Sequence, residues 1–404
     1  MAAHSRAAAS PRSPIAAADG PVRQSSVRAH NLALVLRHVA ESPKPPSRAA
    51  VSSATGLTRA TVSALVDDLV AGTLLAEVAP APRTGAGRPA VGLILNPAGP
   101  AALGLEINVD YLAGCVVDLT GTVRHRLVAY ADQRPTGAPG ALTALAGLAG
   151  RLRELAAGDG LGLAGAAVAV PGLVAADGLV RVAPNLGWQD VPAAALLGAT
   201  PALAGLPLTV DNEANLAALG ELRAGGGARS FVHVSGEIGI GAGIVLDGAL
   251  YRGAHGWSGE IGHLPVYPDG PPCRCGGRGC LEQYAGQEAI LRAAGAPTLD
   301  ALDPAEPGAR TALTAAGSAL GIALAAVVNL LDVDTVVLGG SYAPLLPMLR
   351  EAIEGELRRR VLTADLAPVT LRPATLGADA AMRGAADSVI RAVHADPAAW
   401  LARR

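Results

Sequence analysis

The sequence of 404 residues predicts an α/β protein in which an N-terminal winged helix-turn-helix precedes a larger body of two similar lobes. Two observations predict this fold class. Two helical segments joined at Gly56 have the pattern of a helix-turn-helix. An apolar strand pattern at residues 113–121 returns at residues 242–248. Half of the residues are hydrophobic, which is ample material for the cores of two or three domains.

Charge is unevenly distributed along the chain. Residues 1–99 carry ten Lys and Arg against five Asp and Glu, whereas the remaining residues carry 22 against 29. A basic N-terminal part on an acidic body indicates a module that binds a polyanion. A basic tail alone is the plainer interpretation, but it leaves out the arginines that lie well inside this part, namely Arg48, Arg59, Arg83 and Arg88.

Two segments bear on whether the chain is exported or membrane-bound. Residues 1–22 are rich in Ala, Ser, Pro and Arg and have no strong apolar run, so we predict a disordered tail and no signal peptide. Residues 191–210 lack charges, but three prolines within them argue against a transmembrane helix. We therefore predict a cytoplasmic chain without membrane contact.

The predicted DNA-binding part covers residues 23–96. Residues 27–41 have apolar side chains at helical spacing. Ser47 is the predicted cap of a short helix that Gly56 breaks, and Thr58 is the predicted cap of a second helix with one apolar face. Two helices that meet at a glycine turn form a helix-turn-helix pattern, although an ordinary helical hairpin is the alternative.

Two short apolar segments, 74–80 and 90–96, are predicted strands on either side of a basic, flexible tip at 81–89. A hairpin after the two helices makes the motif a winged helix-turn-helix. In this motif the N-terminal residues of the second helix face base edges in the major groove, and the wing contacts phosphate or the minor groove. The predicted contacts to double-stranded operator DNA are Thr58, Arg59, Thr61 and Ser63 in the helix and Arg83 and Arg88 in the wing.

After a short linker at 96–100, the body covers residues 101–404. Each copy of the repeated strand pattern enters a turn at Asp or Gly. Each half then continues into apolar strands, at 165–170 and at 335–340, and into helices rich in Ala and Leu. Two similar α/β halves predict two lobes with a ligand cleft between them.

Three of the four cysteines lie in one glycine-rich loop, residues 259–282, together with a histidine. One imidazole and three thiolates suit tetrahedral Zn²⁺, and a site with four protein ligands is closed, so we predict one structural zinc ion per chain. Three free cysteines are the alternative, and a cytoplasmic chain disfavours a disulfide. The remaining cysteine, Cys115, is a predicted core residue. The predicted zinc ligands are His263, Cys273, Cys275 and Cys280.

The same loop carries a resemblance to a known family. The segments GEIGH at 259–263 and CRCGGRGCLE at 273–282 resemble the zinc motif of the ROK family of repressors and sugar kinases. Residues 170–188, 210–221 and 377–386 resemble that family's sugar-side segment, catalytic-base segment and C-terminal helix. The resemblance implies a two-lobed, actin-like sugar-kinase fold, and the N-terminal winged helix is similar to that of the family's transcriptional regulators.

Three positions depart from the pattern of the family's kinases. Where the kinases carry Asp-x-Gly-Gly-Thr at the first phosphate loop, residues 106–110 are Glu-Ile-Asn-Val-Asp. The second phosphate loop carries Glu237, and Glu213 replaces the Asp that serves as general base. A phosphate cradle needs small residues and free backbone N–H groups, and carboxylates repel the anion. We therefore predict that the ATP site is degenerate and that the chain has no catalytic residue and is not an enzyme.

The sugar side matches the family better. The resemblance implies a DNA-binding transcriptional regulator, expected to be a repressor, which responds to a sugar or sugar derivative and acts as a homodimer or a dimer of dimers. The alternatives are a sugar kinase with an accessory DNA-binding domain and a constitutive DNA-binding scaffold with a dead pocket. Carboxylates and amides suit sugar hydroxyls, which donate and accept at once. The implied effector contacts are Gly172, Asn185, Asn212, Glu213, Glu260, His263 and Glu282.

Overall fold

The computed structural model describes residues 24–79 and 91–403. The N-terminal part has three helices followed by an antiparallel pair of strands, the element order of a winged helix-turn-helix. The predicted tail, 1–22, and the tip of the wing lie outside the described residues. The elements are α1 (Gln24–Glu41), α2 (Arg48–Thr55), α3 (Arg59–Ala71), β1 (Leu75–Val78) and β2 (Gly92–Leu95).

Both predicted helix caps are confirmed. The hydroxyl of Ser47 accepts a hydrogen bond from the backbone N–H of Ala50 at 3.2 Å, and that of Thr58 accepts one from Thr61 at 3.1 Å. Each bond pairs a backbone donor that the first turn of a helix leaves unpaired. Gly56 ends α2 with φ of 73°, a conformation that favours glycine, and so sets the turn between α2 and α3.

The first lobe is built on a five-stranded sheet. Its strand order is β10-β6-β3-β4-β5, in which the first two pairs are parallel and the last two antiparallel. One face packs against the long helix α4, and a small three-stranded sheet, β7-β8-β9, flanks the cleft side. The elements are β3 (Ala101–Ile107), β4 (Tyr111–Asp118), β5 (Val123–Tyr130), α4 (Gly137–Gly158), β6 (Leu163–Val170), β7 (Leu173–Val174), β8 (Val180–Ala183), β9 (Trp188–Val191), α5 (Ala193–Gly198) and β10 (Leu208–Asn212).

The second lobe repeats this topology. Its sheet order is β13-β12-β11-β14-β15, so each lobe has three antiparallel strands followed by two strands parallel to the first. The predicted internal repeat is confirmed, because its two copies form β4 and β12, the second strand of each sheet. The strands are β11 (Phe231–Gly236), β12 (Ile240–Leu246), β13 (Ala249–Tyr251), β14 (Thr335–Gly340) and β15 (Thr370–Pro373).

Within residues 101–403, seven further helices complete the body. Among the described residues, Pro307–Leu331 is the helix whose length and composition would suffice to cross a membrane. Of its most apolar window, 67% is buried inside the protein, which is typical of a core helix. The helices are α6 (Glu213–Ala224), α7 (Glu282–Ala285), α8 (Gln287–Ala294), α9 (Pro307–Leu331), α10 (Tyr342–Arg360), α11 (Ala380–Ala395) and α12 (Pro397–Leu401).

A hydrophobic core joins the winged helix to the first lobe. The linker at 96–100 connects the two parts along the chain, and the last two helices add a second connection, because α11 packs on α6 and β3 while α12 packs on α1. The indole N–H of Trp400 donates to the backbone carbonyl of Gly72, just beyond α3, at 3.0 Å. One buried cluster therefore contains residues from both parts, among them Leu36, Val66, Cys115, Met382 and Trp400.

Candidate effector cleft and metal cluster

The carboxyl end of the edge strand β10 supplies the first wall of the cleft. Asn212 caps α6, since its side-chain oxygen accepts from the N–H of Asn215 at 3.1 Å. Its amide donates to the carbonyl of Gly172 and to Glu213, both at 3.0 Å. The strand-to-helix turn thus holds an amide and a carboxylate side by side, and pairs of this kind bind sugar hydroxyls.

Gly172 and Asn185 complete this wall. Gly172 has φ of 117°, and a Cβ there would overlap the carbonyl of Val182, so the position requires glycine. Asn185 follows β8 and reaches the other lobe. The side-chain nitrogen of Asn185 would lie 2.9 Å from a Cβ added to Gly239. The side-chain oxygen of Asn185 accepts a long hydrogen bond of 3.5 Å from Arg274.

The opposite wall comes from the loop between β13 and α8. Glu260 precedes the short turn Ile261–His263, His263 is its last residue, and Glu282 begins α7. Glu282 accepts from the backbone N–H of Ile240 at 3.4 Å, which ties this wall to the start of β12. The structure brings all seven predicted effector residues to one cavity of about 80 Å³, lined by Gly172, Asn185, Asn212, Glu213, Glu260, His263 and Glu282.

Three carboxyl groups lie at or near the cleft: Glu213 and Glu237 are half-buried and line the cavity, and Glu106 is buried close enough to affect both. Burial raises the pKa of Glu213 to about 8 and the pKa of Glu237 to about 7, with neighbouring carboxylates adding to both shifts. Burial likewise raises the pKa of Glu106 to about 7, although the Tyr111 hydroxyl donates to this carboxyl at 2.7 Å. The raised pKa values keep a substantial share of these carboxyls protonated at neutral pH, so they can donate hydrogen bonds as well as accept them.

The departures in the phosphate loops are placed in part as expected. Asn108, Val109 and Glu237 line the cavity, at the positions where the family resemblance places the two phosphate loops. Asp110 differs, because it is exposed and is not part of the cavity wall. Asp110 follows the last buried residue of the loop and points to solvent. Its charge raises the pKa of Glu237, but burial and the charge of Glu106 contribute more to that shift.

The predicted metal ligands form a compact cluster. The ligand atoms of the four residues all lie within 4.8 Å of one another. The sulfurs of Cys275 and Cys280 are 3.7 Å apart, and the sulfur of Cys273 is 3.7 Å from Nδ1 of His263. Zinc–sulfur bonds of about 2.3 Å place tetrahedral ligands about 3.8 Å apart, so the donors and their spacing fit Zn²⁺. Cys115 is buried in the core, as predicted.

Arg274 is a cleft residue that the sequence did not reveal. It stands between two of the clustered cysteines and lines the cavity beside Cys275. Its guanidinium makes long contacts, 3.5 Å to Asn185 and 3.4 Å to Glu288. Its position in the sequence could have indicated this role, because the backbone of a residue between two clustered cysteines is held next to the cavity.

The structure separates the predicted DNA contacts. Arg59 is exposed at the start of α3, and the hydroxyls of Thr58 and Thr61 lie 2.8 Å apart beside it. Ser63 has a different environment, because its hydroxyl and its carbonyl accept from Arg48 at 3.0 and 3.1 Å in the contact between α2 and α3. Arg83 and Arg88 lie outside the described residues.

Comparisons with known proteins identify the family. The model of the ROK family matches residues 102–392. The chain is 30% identical over 378 residues to the xylose repressor of Bacillus subtilis (strain 168), which covers 91% of this chain and 96% of that repressor.

Solved structures agree with this comparison. A ROK family transcriptional regulator, a homologue of the E. coli MLC protein, superposes with a TM-score of 0.78 at 26% identity over 94% of this chain and 100% of that one. A ROK family glucokinase from Streptomyces griseus, in complex with glucose and AMPPNP, superposes with a TM-score of 0.60 at 27% identity over 71% of this chain and 98% of the kinase. Since the family model spans more than half of its length, the chain belongs to the ROK family.

Proposed function

We propose that the protein is a DNA-binding transcriptional repressor whose effector is a sugar. The observation that carries this proposal is the joint placement of two modules. Six polar side chains of the kind that bind sugar hydroxyls line one cleft together with Gly172, and the first lobe, which forms one wall of the cleft, shares its core with the winged helix. The similarity to the Bacillus subtilis xylose repressor supports the same function and makes xylose the first sugar to test.

Sugar kinase activity is the second candidate, because a ROK glucokinase has the same two-lobed fold. The side chain of Glu237 lines the cavity at the second phosphate loop, where it would face the phosphates of ATP. This side chain occupies space that a phosphate needs, and above its pKa of about 7 the carboxylate would also repel the anion, by about 4 kcal/mol at 4 Å and an effective dielectric constant of 20. We therefore infer that the protein does not phosphorylate its sugar, and an assay with ATP and each bound sugar should detect no phosphate transfer.

We propose that His263, Cys273, Cys275 and Cys280 hold one zinc ion per chain. When bound, the ion supplies four strong bonds that fix the backbone of the loop. His263 faces Cys273 through Nδ1, and its side chain also lines the cleft. The loop carries Glu260 as well, so the metal cluster would set the geometry of the second wall of the sugar site.

On the DNA side, we propose that Thr58, Arg59 and Thr61 read base edges in the major groove and that Arg83 and Arg88 contact the backbone or the minor groove. Arg59 is the exposed cation at the start of α3, and this helix is the second of the helix-turn-helix. We include Ser63 among these base contacts, although its hydroxyl also accepts a hydrogen bond from Arg48. Such modules act in pairs, so the protein would be a homodimer or a dimer of dimers on a two-fold operator in the cytoplasm.

The sugar and DNA functions meet in one experiment. An operator is selected from a random DNA library, and its affinity is measured with and without a saturating sugar. Glu260→Ala removes a charged acceptor from the cleft, and the loss of such a hydrogen bond weakens sugar binding by roughly 10- to 100-fold. We expect operator affinity within threefold of the unaltered protein and no response to sugar. Glu154→Ala, at an exposed position of α4, is the matched control.

Either of two results would count against the proposal. If Glu260→Ala keeps both its sugar affinity and its sugar-induced shift in operator affinity, the effector does not bind in this cleft. If the unaltered protein binds operator but no sugar of a broad panel, the protein binds DNA constitutively and its cleft binds no effector.

A further inference from the structure

A second, polar pocket opens directly beside the effector cleft. It has a cavity volume of about 240 Å³ and shares four lining residues with the cleft, so the two spaces adjoin. The shared residues are Asn185, Ile238, Arg274 and Glu282. Beyond them, the side pocket extends along α7 and α8, where its polar lining residues are Gln283, Glu288 and Arg292.

Several polar groups of the side pocket have unused hydrogen-bonding capacity. Within the described part of the chain, the side chains of Gln283 and Arg292 make no hydrogen bond and no ion pair. The contacts of Arg274 are long, at 3.5 Å to Asn185 and 3.4 Å to Glu288, so most of its five donors are unused. A ligand that offers several donors and acceptors can pair with all three side chains.

The charges of the side pocket decide the class of ligand. Two guanidinium groups, of Arg274 and Arg292, stand beside two carboxylates, of Glu282 and Glu288. A phosphate or a sugar acid would gain attraction from the first pair and repulsion from the second. A neutral, hydroxyl-rich ring avoids the repulsion and can still use every donor and acceptor.

Size points to the same class. The cleft alone, at about 80 Å³, is far below the roughly 300–1,000 Å³ of typical ligand pockets. With the side pocket of about 240 Å³ the space reaches the lower end of that range. Resting on the proposed function, we propose that the effector has at least two sugar units, with one ring in the cleft and a second neutral glycosyl unit in the side pocket.

The test compares sugars of one and two units on the full-length protein. The probes are xylose, glucose and N-acetylglucosamine and their β-1,4-linked disaccharides, and binding is measured by calorimetry. We expect at least one disaccharide to bind tenfold or more tightly than its monosaccharide, a difference of about 1.4 kcal/mol. Gln283→Ala combined with Arg292→Ala should reduce that ratio to threefold or less and leave the monosaccharide affinity unchanged. Arg358→Ala, an exposed arginine on α10, is the control.

The results separate this inference from the proposed function. If monosaccharides bind and no disaccharide binds more tightly, the second unit has no site and the inference is wrong, while a sugar-responsive repressor remains. If the double variant weakens both classes of probe equally, the side pocket acts only through the shape of the cleft, which also overturns the inference. If no probe of either class binds, both proposals fail together.

Discussion

Trp400 offers a direct test of the core that joins the winged helix to the body. The side chain is 7% exposed, and its indole N–H donates to the carbonyl of Gly72 at 3.0 Å. Truncation of a buried Trp to Ala costs about 3–5 kcal/mol, a large part of the roughly 5–15 kcal/mol that stabilises a domain. Trp400→Phe keeps most of the apolar ring and loses the hydrogen bond, which is worth about 0.5–1.5 kcal/mol.

The assay must show where the stability is lost. Urea unfolding gives the total change, and amide hydrogen exchange gives its location. We expect Trp400→Ala to speed exchange in α1 and in the last turn of α3 and to weaken operator binding, with Trp400→Phe intermediate. Sugar affinity should change little, because Trp400 lies outside the effector cleft. If exchange in α1 is unchanged in Trp400→Ala, the winged helix folds independently of the body and the reasoning is refuted.

Three further predictions concern the metal, the DNA and pH. Cys275→Ser should lose most of the one zinc per chain measured by elemental analysis; full zinc and full stability would exclude the site. Arg59→Ala should lose roughly 1–3 kcal/mol of discrimination between operator and random DNA, and equal behaviour to the unaltered protein would mean that α3 is misassigned. Burial raises the pKa of Glu213 to about 8, so the folded chain holds a proton that the unfolded chain releases near pH 4.5. This stabilisation is complete below pH 4.5 and is lost as pH rises through 8; Glu213→Gln should flatten the decline in urea-measured stability by up to about 1.4 kcal/mol per pH unit, and Glu154→Gln should not.

The sequence predicted the parts of the fold that depend on local patterns. Caps at Ser47 and Thr58 depend on one side chain and one backbone donor, and such signals are visible within four residues. The metal cluster could be predicted because all four of its residues lie within one loop. The effector residues, in contrast, come from both lobes and were found only through the family resemblance, since no spacing links Asn185 to Glu260.

Contacts between distant segments were not predictable in this way. Nothing near Trp400 in the sequence points to Gly72, which is more than 300 residues away. Ser63 was predicted from its position in α3 alone, whereas its environment is set by Arg48 on the preceding helix. Asp110 follows the buried Val109 but is itself exposed. Neighbouring residues at a turn point in different directions, so adjacency in the sequence does not predict burial.

The path from the cleft to the winged helix runs through tightly packed helices. Asn212 and Glu213 stand at the N-terminus of α6, and α6 packs on α11. Gly220 and Gly384 lie at this contact, where an added Cβ would meet the backbone of the other helix. Helices packed this closely cannot move independently, because a close-packed interior resists compression and transmits displacement.

The same helices lead on to the DNA-binding part. The end of α11 leads into α12, and Trp400 of α12 bonds to Gly72 at the end of α3. A sugar that is held by both walls of the cleft favours their closed arrangement only by its differential affinity for that arrangement. Helix α6 begins at the first wall, and α6, α11, α12 and the end of α3 form a continuous series of contacts. Closure of the cleft would therefore change the orientation of the recognition helix directly, because the two parts are packed together and are not joined by a flexible linker alone.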